Sequence, residues 1–233
     1  MGSKRQDQYD RQEVIDTCLA MNRTGLNQGS SGNVSLRNGA GFLLTPSGVP
    51  YDAMRPEQVV QMDLEAGYFG AWLPSSEWRM HLDIYRARPE AQAIVHTHSI
   101  HATALSCLRQ DILAFHYMMA VAGGDDLRCA DYATFGTQEL SDAMLIALKD
   151  RSACLLANHG MICFGPSLAK ALWLAGEVEA LCHQYVIACK MGEPVVLDAA
   201  EMQRIHSRLA SYGKQAQELG PEGGAIEMPQ RRD

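Results

Sequence analysis

The sequence has 233 residues, of which 47% are hydrophobic and 20% charged, a balance that is typical of a soluble globular protein and excludes a disordered or fibrous one. The formal net charge is −7 and the 20 lysines and arginines are scattered, so we expect no nucleic-acid partner and no binding to an anionic membrane. No apolar run approaches the roughly 20 residues that cross a bilayer, and residues 1–13 are too polar for a signal peptide. Seven cysteines without CxxC spacing are interpreted as buried free thiols, which favours a cytoplasmic location.

Hydrophobic periodicity and turn residues predict one domain over residues 1–219, in which helices alternate with strands, followed by a flexible tail at 220–233. This alternation indicates an α/β fold but leaves open whether the sheet is parallel or antiparallel. In the first half of the chain we expect a helix near 8–24, a hairpin at 33–45, a strand at VVQMDL, a helix capped by Ser75 or Ser76 and ended by Pro89, and a strand at AIVHTHS. In the second half we expect a short helix near 100–108, a helix from the cap Thr137 to residue 149, and two short strands around Asn158-His159-Gly160. A long helix at 167–191 and a last helix near 199–219 complete the prediction.

Two histidines, His96 and His98, stand at the end of an apolar strand. Because strand side chains alternate between faces, this spacing puts both imidazoles on one face with Cα atoms roughly 6.6 Å apart, and both rings can then reach one metal ion. A pair of hydrogen-bonded histidines at a strand end has the same spacing. The pair alone therefore leaves a metal site and a structural role equally open.

His159 and Glu77 are the candidates to complete such a site. His159 lies in a tight turn directly after the apolar strand ACLLA, where Asn158 and Gly160 permit an unusual backbone that could aim the ring inward. Glu77 lies in the first turn of its helix, where it could act as an acid or a base, or simply complement the helix dipole. A structural role is the simpler interpretation of each residue taken alone.

Three short segments are rich in glycine and serine: NQGSSGNVS at 27–35, TPSG at 45–48 and PSSE at 74–77. Their main-chain N–H groups and hydroxyls could together bind a phosphate without a lysine, which suits an acidic chain. Each segment taken alone is most simply a turn. The sequence contains no Walker loop or GxGxxG fingerprint, so a nucleotide is not the expected ligand.

Taken together, these segments resemble the class II sugar-phosphate aldolase and adducin family. The similarity rests on NQGSSGNVS, TPSG, LPSSE, HTH, HYMMAVAGG, YATFGT and NHG, in this order, and extends from about residue 12 to about residue 212. The resemblance implies that residues 1–219 are a catalytic α/β domain with a central, mainly antiparallel sheet and helices on both faces. It also implies a homotetramer whose active sites lie at subunit interfaces.

The resemblance assigns roles to individual residues. One Zn²⁺ ion per subunit would be bound by Glu77, His96, His98 and His159. The phosphate of a small sugar phosphate would contact Gly32, Asn33, Ser47, Gly48, Ser75 and Ser76. Glu77 would also be the general base, and Tyr117 would reach in from the adjacent subunit to handle the proton on the aldehyde oxygen. Phe135 and Tyr212 would line the aldehyde pocket.

The implied reaction is reversible cleavage of a ketose 1-phosphate of the L-fuculose 1-phosphate type, which yields dihydroxyacetone phosphate and a small aldehyde such as L-lactaldehyde. A salvage aldolase that acts on 5-deoxyribulose 1-phosphate or 5-methylthioribulose 1-phosphate is the first alternative, because one methyl or thiomethyl group is worth only about 1 to 3 kcal/mol of discrimination. A sugar-phosphate epimerase or dehydratase is the second alternative. A non-catalytic adducin-like module is the third, and the full ligand set argues against it.

Overall fold

The computed structural model describes residues 2–211. Its helices are α1 (Gly2–Arg23), α2 (Trp78–Ala87), α3 (Ile100–Ser106), α4 (Gln138–Ala147), α5 (Leu168–Met191) and α6 (Ala199–Leu209). Its strands are β1 (Asn33–Asn38), β2 (Gly41–Leu44), β3 (Val60–Asp63), β4 (Tyr68–Phe69), β5 (Ala93–Thr97), β6 (Ile112–Leu113), β7 (Asp126–Leu127), β8 (Cys129–Ala130), β9 (Ala153–Leu156) and β10 (Gly160–Gly165). Short 3-10 helices lie at Tyr51–Ala53, Pro56–Gln58 and Tyr117–Ala122. None of these helices has the length and apolarity needed to span a membrane.

An eight-stranded sheet with the order β4-β3-β2-β1-β5-β10-β9-β8 forms the centre of the fold. Its strand pairs are antiparallel except for β8 and β9, which run parallel. Strands β6 and β7 form a separate two-stranded ribbon. The mainly antiparallel sheet that the resemblance implied is confirmed.

Both faces of the sheet are covered by helices. Val95 and Cys163 point to the core that the sheet forms with α1, α3, α5 and α6. Their chain neighbours Ile94 and Ile162 point to the opposite core, which includes residues of α2 and α4. Because adjacent strand residues alternate between the two cores, β5 and β10 are buried along their whole length and their sequences are almost continuously apolar.

Helix α1 is longer than predicted, because it begins at Gly2 and not near residue 8. Its first turns carry few apolar residues, so hydrophobic periodicity did not reveal them. Polar side chains four positions apart pair there instead: Gln6 donates to Asp10 at 2.6 Å, and Arg11 to Asp7 at 2.8 Å. Pairs at this spacing stabilise a helix surface by a few tenths of a kcal/mol each, roughly 0.2 to 0.5.

The predicted cap of α2 is wrong, because the helix begins at Trp78 with Glu77 in the N-cap position and without a side-chain cap. Ser75 instead closes a tight turn, where its hydroxyl accepts from the Glu77 N–H at 3.3 Å. This shift keeps the side chains of Ser76 and Glu77 out of the regular helix. Both residues line the cavity described below.

The other helix ends follow the prediction more closely. Thr137 caps α4, since its hydroxyl accepts from the Leu140 N–H, although the helix ends at Ala147 and not at residue 149. Among the described residues helix α6 ends at Leu209, and most of the remaining predicted helix, up to residue 219, lies outside them. Tyr212 and the predicted tail at 220–233 lie outside the described residues.

All seven cysteines are free thiols, as predicted, but their burial is not uniform. Cys18, Cys154, Cys163 and Cys182 are buried, Cys129 is partly buried, and Cys107 and Cys189 are exposed. The two exposed thiols lie at the C-terminal ends of α3 and α5.

Candidate active site

Glu77, His96, His98 and His159 meet at one end of the central strands, and their ligand atoms all lie within 4.8 Å of one another. His96 is the second-to-last residue of β5, and His98 follows that strand directly. His159 immediately precedes β10, which pairs antiparallel with β5. Because an antiparallel neighbour begins where its partner ends, the turn before β10 and the end of β5 come together.

The four side chains leave their ligand atoms facing a common point. His96 Nδ1 donates to the Met161 carbonyl at 2.8 Å, which leaves Nε2 to face the cluster. That Nε2 lies 3.0 Å from Glu77 Oε2 and 3.1 Å from His98 Nε2, and His159 Nε2 lies 3.0 Å from Glu77 Oε1. Three imidazoles and a carboxylate, one ring held by a carbonyl behind it, fit a divalent metal ion.

Electrostatics favour the protonation states that a metal requires. Burial raises the pKa of Glu77, but the neighbouring His96 and His159 outweigh this effect, so the net pKa lies well below the usual range. Burial, followed by the charge of His96, lowers the pKa of His98 to about 4. Glu77 is therefore an anion and His98 a neutral ring at neutral pH, and these are the metal-binding forms.

The Asn-His-Gly turn acts through two different backbone effects. Asn158 adopts the left-handed conformation with φ +53°, as a tight turn of this kind requires. Gly160 is needed for space, because a Cβ there would lie 2.6 Å from the Thr97 carbonyl oxygen and 2.9 Å from the His98 ring. The sequence suggested unusual backbone at both positions, whereas the structure shows it at Asn158 alone.

A cavity of about 400 Å³ adjoins the cluster. Three cluster residues line it: Glu77, His98 and His159. Phe135, from the predicted aldehyde pocket, also lines it. So does every residue predicted to contact phosphate, namely Gly32, Asn33, Ser47, Gly48, Ser75 and Ser76. The three Gly/Ser segments, which are distant in sequence, thus share one wall with the candidate metal ligands.

Backbone hydrogen bonds hold two of these segments side by side. The Ser47 N–H donates to the Leu73 carbonyl at 2.9 Å, and the Ser75 N–H donates to the Thr45 carbonyl at 3.0 Å. The third segment lies against β5 at Gly32, where a Cβ would come within 2.5 Å of the His96 carbonyl oxygen. A side chain at Gly32 would therefore push segment 27–35 away from the cluster.

The side chain of Asn33 is directed to Glu77, although the residue was predicted to contact phosphate. Its Nδ2 donates to Glu77 Oε2 at 2.9 Å, and its Oδ1 lies 2.5 Å from His81 Nε2. His81 was not among the predicted site residues. Its position four residues after Glu77, on the same helix face, was the available signal. Tyr132 and Asn158 also line the cavity and were not predicted to do so.

Tyr117 is apart from the other predicted site residues. It begins the 3-10 helix at Tyr117–Ala122 and is 51% exposed. It is not among the residues that line the cavity of this chain. Tyr212, the remaining predicted site residue, is outside the part of the chain that the structure describes.

Comparison with known proteins places these features in a family. The model of the class II aldolase and adducin N-terminal domain matches residues 12–186. L-fuculose phosphate aldolase of Escherichia coli strain K12 is 47% identical over 207 residues, which cover 88% of this chain and 96% of the relative. The 5-methylthioribulose-1-phosphate/5-deoxyribulose-1-phosphate aldolase of Rhodospirillum rubrum is also 47% identical, over 211 residues that cover 91% of this chain and 96% of the relative. A solved structure of L-fuculose 1-phosphate aldolase aligns with a TM-score of 0.84 at 39% identity and covers 86% of this chain and 96% of that one.

Proposed function

This chain belongs to the class II aldolase and adducin N-terminal domain family, and we propose that it is a zinc-dependent aldolase for a ketose 1-phosphate of the L-fuculose 1-phosphate type. The products are dihydroxyacetone phosphate and a small aldehyde such as L-lactaldehyde. The observation that carries the proposal is the cavity in which the three-histidine and one-glutamate cluster adjoins three Gly/Ser segments. It joins a metal-binding donor set to an anion-binding wall.

Zinc is the proposed ion, at one per subunit, because three imidazoles and one carboxylate match its preferred ligands. Glu77, His96, His98 and His159 would hold it. When bound, the ion supplies Lewis-acid stabilisation of the negative charge that develops as the C3–C4 bond breaks. No lysine lines the cavity among the described residues, so the chain offers no Schiff-base route there.

The phosphate end of the substrate would rest on the Gly/Ser wall. Ser47 and Ser76 are exposed in the cavity and can donate hydroxyl hydrogen bonds to phosphate oxygens, while Gly32 and Gly48 let the backbone approach closely. Ser75 is buried, and its hydroxyl already accepts from the Glu77 N–H. This wall orients the carbonyl end of the substrate toward the cluster.

Glu77 is the proposed general base. It is 5% exposed, and its Oε2 also accepts a hydrogen bond from Asn33, outside the cluster. Its carboxylate would move a proton to or from the carbon of dihydroxyacetone phosphate that forms the new bond. Burial raises the pKa of this carboxyl, but His96 and His159 outweigh burial and bring the net pKa well below its usual range, so Glu77 is in the deprotonated form that a base requires.

Tyr117, Phe135 and Tyr212 are proposed to act at the aldehyde end. Phe135 is 65% exposed and lines the cavity of its own chain. Tyr117 is exposed and outside that cavity, which supports a role across a subunit interface, where it would handle the proton on the aldehyde oxygen. A homotetramer with shared active sites is therefore part of the proposal.

A salvage aldolase for 5-methylthioribulose 1-phosphate or 5-deoxyribulose 1-phosphate is the second candidate function. The relative named for these substrates matches this chain at the same identity as the L-fuculose phosphate aldolase, 47% in each case. All three compounds are ketose 1-phosphates and differ at the end remote from the phosphate. The Gly/Ser wall and the cluster consequently suit them equally.

The test is release of dihydroxyacetone phosphate from each of the three sugar phosphates, measured in a coupled NADH assay with and without a chelator. We expect release that a chelator abolishes and added zinc restores, with the highest kcat/KM on L-fuculose 1-phosphate. A higher kcat/KM on either ribulose compound would establish the salvage function instead. No triose phosphate from any substrate by zinc-loaded protein would refute aldol cleavage and point to epimerase or dehydratase chemistry.

A further inference from the structure

Five buried polar side chains form a continuous hydrogen-bonded chain that ends on Glu77. Tyr85 Oη lies 2.8 Å from Ser35 Oγ, which lies 2.7 Å from His81 Nδ1. His81 Nε2 lies 2.5 Å from Asn33 Oδ1, and Asn33 Nδ2 lies 2.9 Å from Glu77 Oε2. None of the five residues is more than 5% exposed. We call this set the relay.

The relay is built from two regular spacings in the sequence. Glu77, His81 and Tyr85 are four residues apart, which puts them on one face at the start and along the length of α2. Asn33 and Ser35 are two residues apart on β1, which puts them on one face of the sheet. The strand residues fill the gaps between the helix residues. An uninterrupted polar line therefore crosses an otherwise apolar contact.

The hydrogen-bond donors of the relay all point toward Glu77. A carboxylate can only accept, so the Asn33 amide must present its NH₂ group to Glu77 and its oxygen to His81. His81 Nε2 must then donate. Burial, followed by the charge of His96, lowers the pKa of His81 to about 3, so the ring is neutral and Nδ1 must accept from Ser35.

Without a donor on His81, the Asn33 amide would lose the group that fixes its orientation. A rotation by 180° would place the amide oxygen against the Glu77 carboxylate, an arrangement of two acceptors that repel. Water cannot easily substitute, because the relay atoms are buried. His81 thus determines that Asn33 turns its NH₂ group, and not its oxygen, toward Glu77.

We infer that His81 is a positioning residue that acts through Asn33 to hold Glu77 Oε2 in place. The inference rests on the proposed function and deepens it. Glu77 Oε1 contacts His159 and has no relay partner, whereas Oε2 contacts His96 and also accepts from Asn33. Oε2 is the anchored oxygen, and Oε1 is the oxygen that carries the proton.

The test compares His81→Asn with His81→Gln, because glutamine can place an N–H near the position of Nε2 whereas the shorter asparagine reaches only the position of Nδ1. Two readouts are used on each variant: zinc affinity, by competition with a chelator, and deuterium exchange into dihydroxyacetone phosphate in D₂O without aldehyde, at saturating zinc. For His81→Asn we expect zinc affinity about 10-fold lower and exchange about 100-fold slower. The KM for the sugar phosphate should stay unchanged, because the phosphate wall is intact. For His81→Gln we expect near wild-type values.

Several outcomes would overturn the inference. Wild-type values for both variants in both readouts would show that the donor toward Asn33 is irrelevant. An equal loss of zinc affinity and exchange in both variants, with the same fall in Tm, would show that His81 only fills the core. Tyr85→Phe, which keeps the ring packed on Phe42 at 5.0 Å, removes only the remote donor and should change exchange by no more than about 3-fold.

Failure of the proposed function can be told apart from failure of the inference. If wild-type protein neither cleaves the sugar phosphates nor exchanges dihydroxyacetone phosphate, the proposed function fails. The difference in zinc affinity between His81→Asn and His81→Gln still decides whether the relay positions Glu77.

Discussion

The two ends of the cavity differ in how firmly the protein holds them. At the proposed phosphate end, segment 45–48 is tied to residues 73–75 by main-chain hydrogen bonds of 2.9 and 3.0 Å, and Thr45 and Ser75 are buried. At the other end, Tyr132 and Phe135 are 54% and 65% exposed. The ring of Tyr132 contacts Arg109, whose guanidinium lies 5.3 Å from the ring centroid.

Under the proposed function, this difference indicates where the substrate would be chosen. The end formed by segments 45–48 and 74–77, the tied end, would bind the part that all ketose 1-phosphates share, and its geometry cannot vary without breaking main-chain bonds. The exposed end, at Tyr132 and Phe135, would meet the part in which they differ, and its side chains can change at little cost to stability. Relatives named for different sugar phosphates can accordingly be equally similar to this chain, at 47% identity.

The largest expected effect is that of Glu77→Gln, which acts between the two ends. Loss of the base should lower kcat about 10² to 10⁴-fold, by the same factor on every substrate cleaved, because the proton moves on the shared half. Steady-state kinetics with zinc-loaded protein measures this, with Glu139→Gln in the exposed first turn of α4 as the matched control. Normal turnover of Glu77→Gln would remove the assigned role.

Tyr117→Phe should lower kcat about 100-fold while KM changes little, because its proton is needed only as charge changes on the aldehyde oxygen. Tyr9→Phe, at a similarly exposed tyrosine, is the control. Co-assembly of Tyr117→Phe with Glu77→Gln subunits should restore part of the activity if Tyr117 serves a neighbouring site. A raised KM with unchanged kcat would make Tyr117 a binding residue, and no restoration would place it in its own subunit's site.

Ser76→Ala tests the tied end. Loss of one hydroxyl to phosphate should raise KM about 10-fold on all substrates and leave kcat unchanged, because phosphate is bound equally in the ground and transition states. Ser207→Ala on the exposed face of α6 should change neither constant. If Ser76→Ala altered the ratio of kcat/KM between two substrates, the tied end would take part in substrate choice, and the division of roles between the two ends would be wrong.

Phe135→Ala tests the exposed end and should have the smallest effect. We expect the ratio of kcat/KM for L-fuculose 1-phosphate over 5-methylthioribulose 1-phosphate to change about 3 to 10-fold, because an exposed ring contributes only part of the about 1 to 3 kcal/mol that a small apolar group is worth in a closed pocket. Tm should be unaffected, since the ring is 65% exposed. The substrate ratio serves as its own control, and an unchanged ratio would show that Phe135 does not contact the varying part of the substrate.

Much of this site was predictable from local sequence. The spacing of His96 and His98 puts both rings on one face of a strand wherever that strand lies, and the Asn-His-Gly turn marks a strand end. The motifs also predicted the family and the enzyme class, and both predictions are confirmed. The three Gly/Ser segments were recognisable as turns that could together bind a phosphate, and the resemblance assigned them that role.

The relay was invisible because it depends on the register between distant elements. Asn33 and His81 are separated by 48 residues, and nothing local shows that β1 and α2 face each other at that level. The cap of α2 was misplaced for a similar reason: serine is a good cap residue anywhere, whereas the main-chain bond from Ser75 to Thr45 decides which residue begins the helix.

The sequence by itself determined the alternation of helices and strands, the pairing of His96 with His98 on one face, and the motifs of the family, because each depends on residues close together in the chain. The resemblance assigned His159 and Glu77 to the same metal site as that pair, and segments 27–35, 45–48 and 74–77 to one phosphate. Tertiary structure brings these residues together, and it alone shows that Asn33 turns its amide to Glu77. These arrangements depend on the antiparallel pairing of β5 with β10 and on the packing of α2 against the sheet. Contacts of this kind are set by the burial of both sheet faces together, and no single segment encodes them.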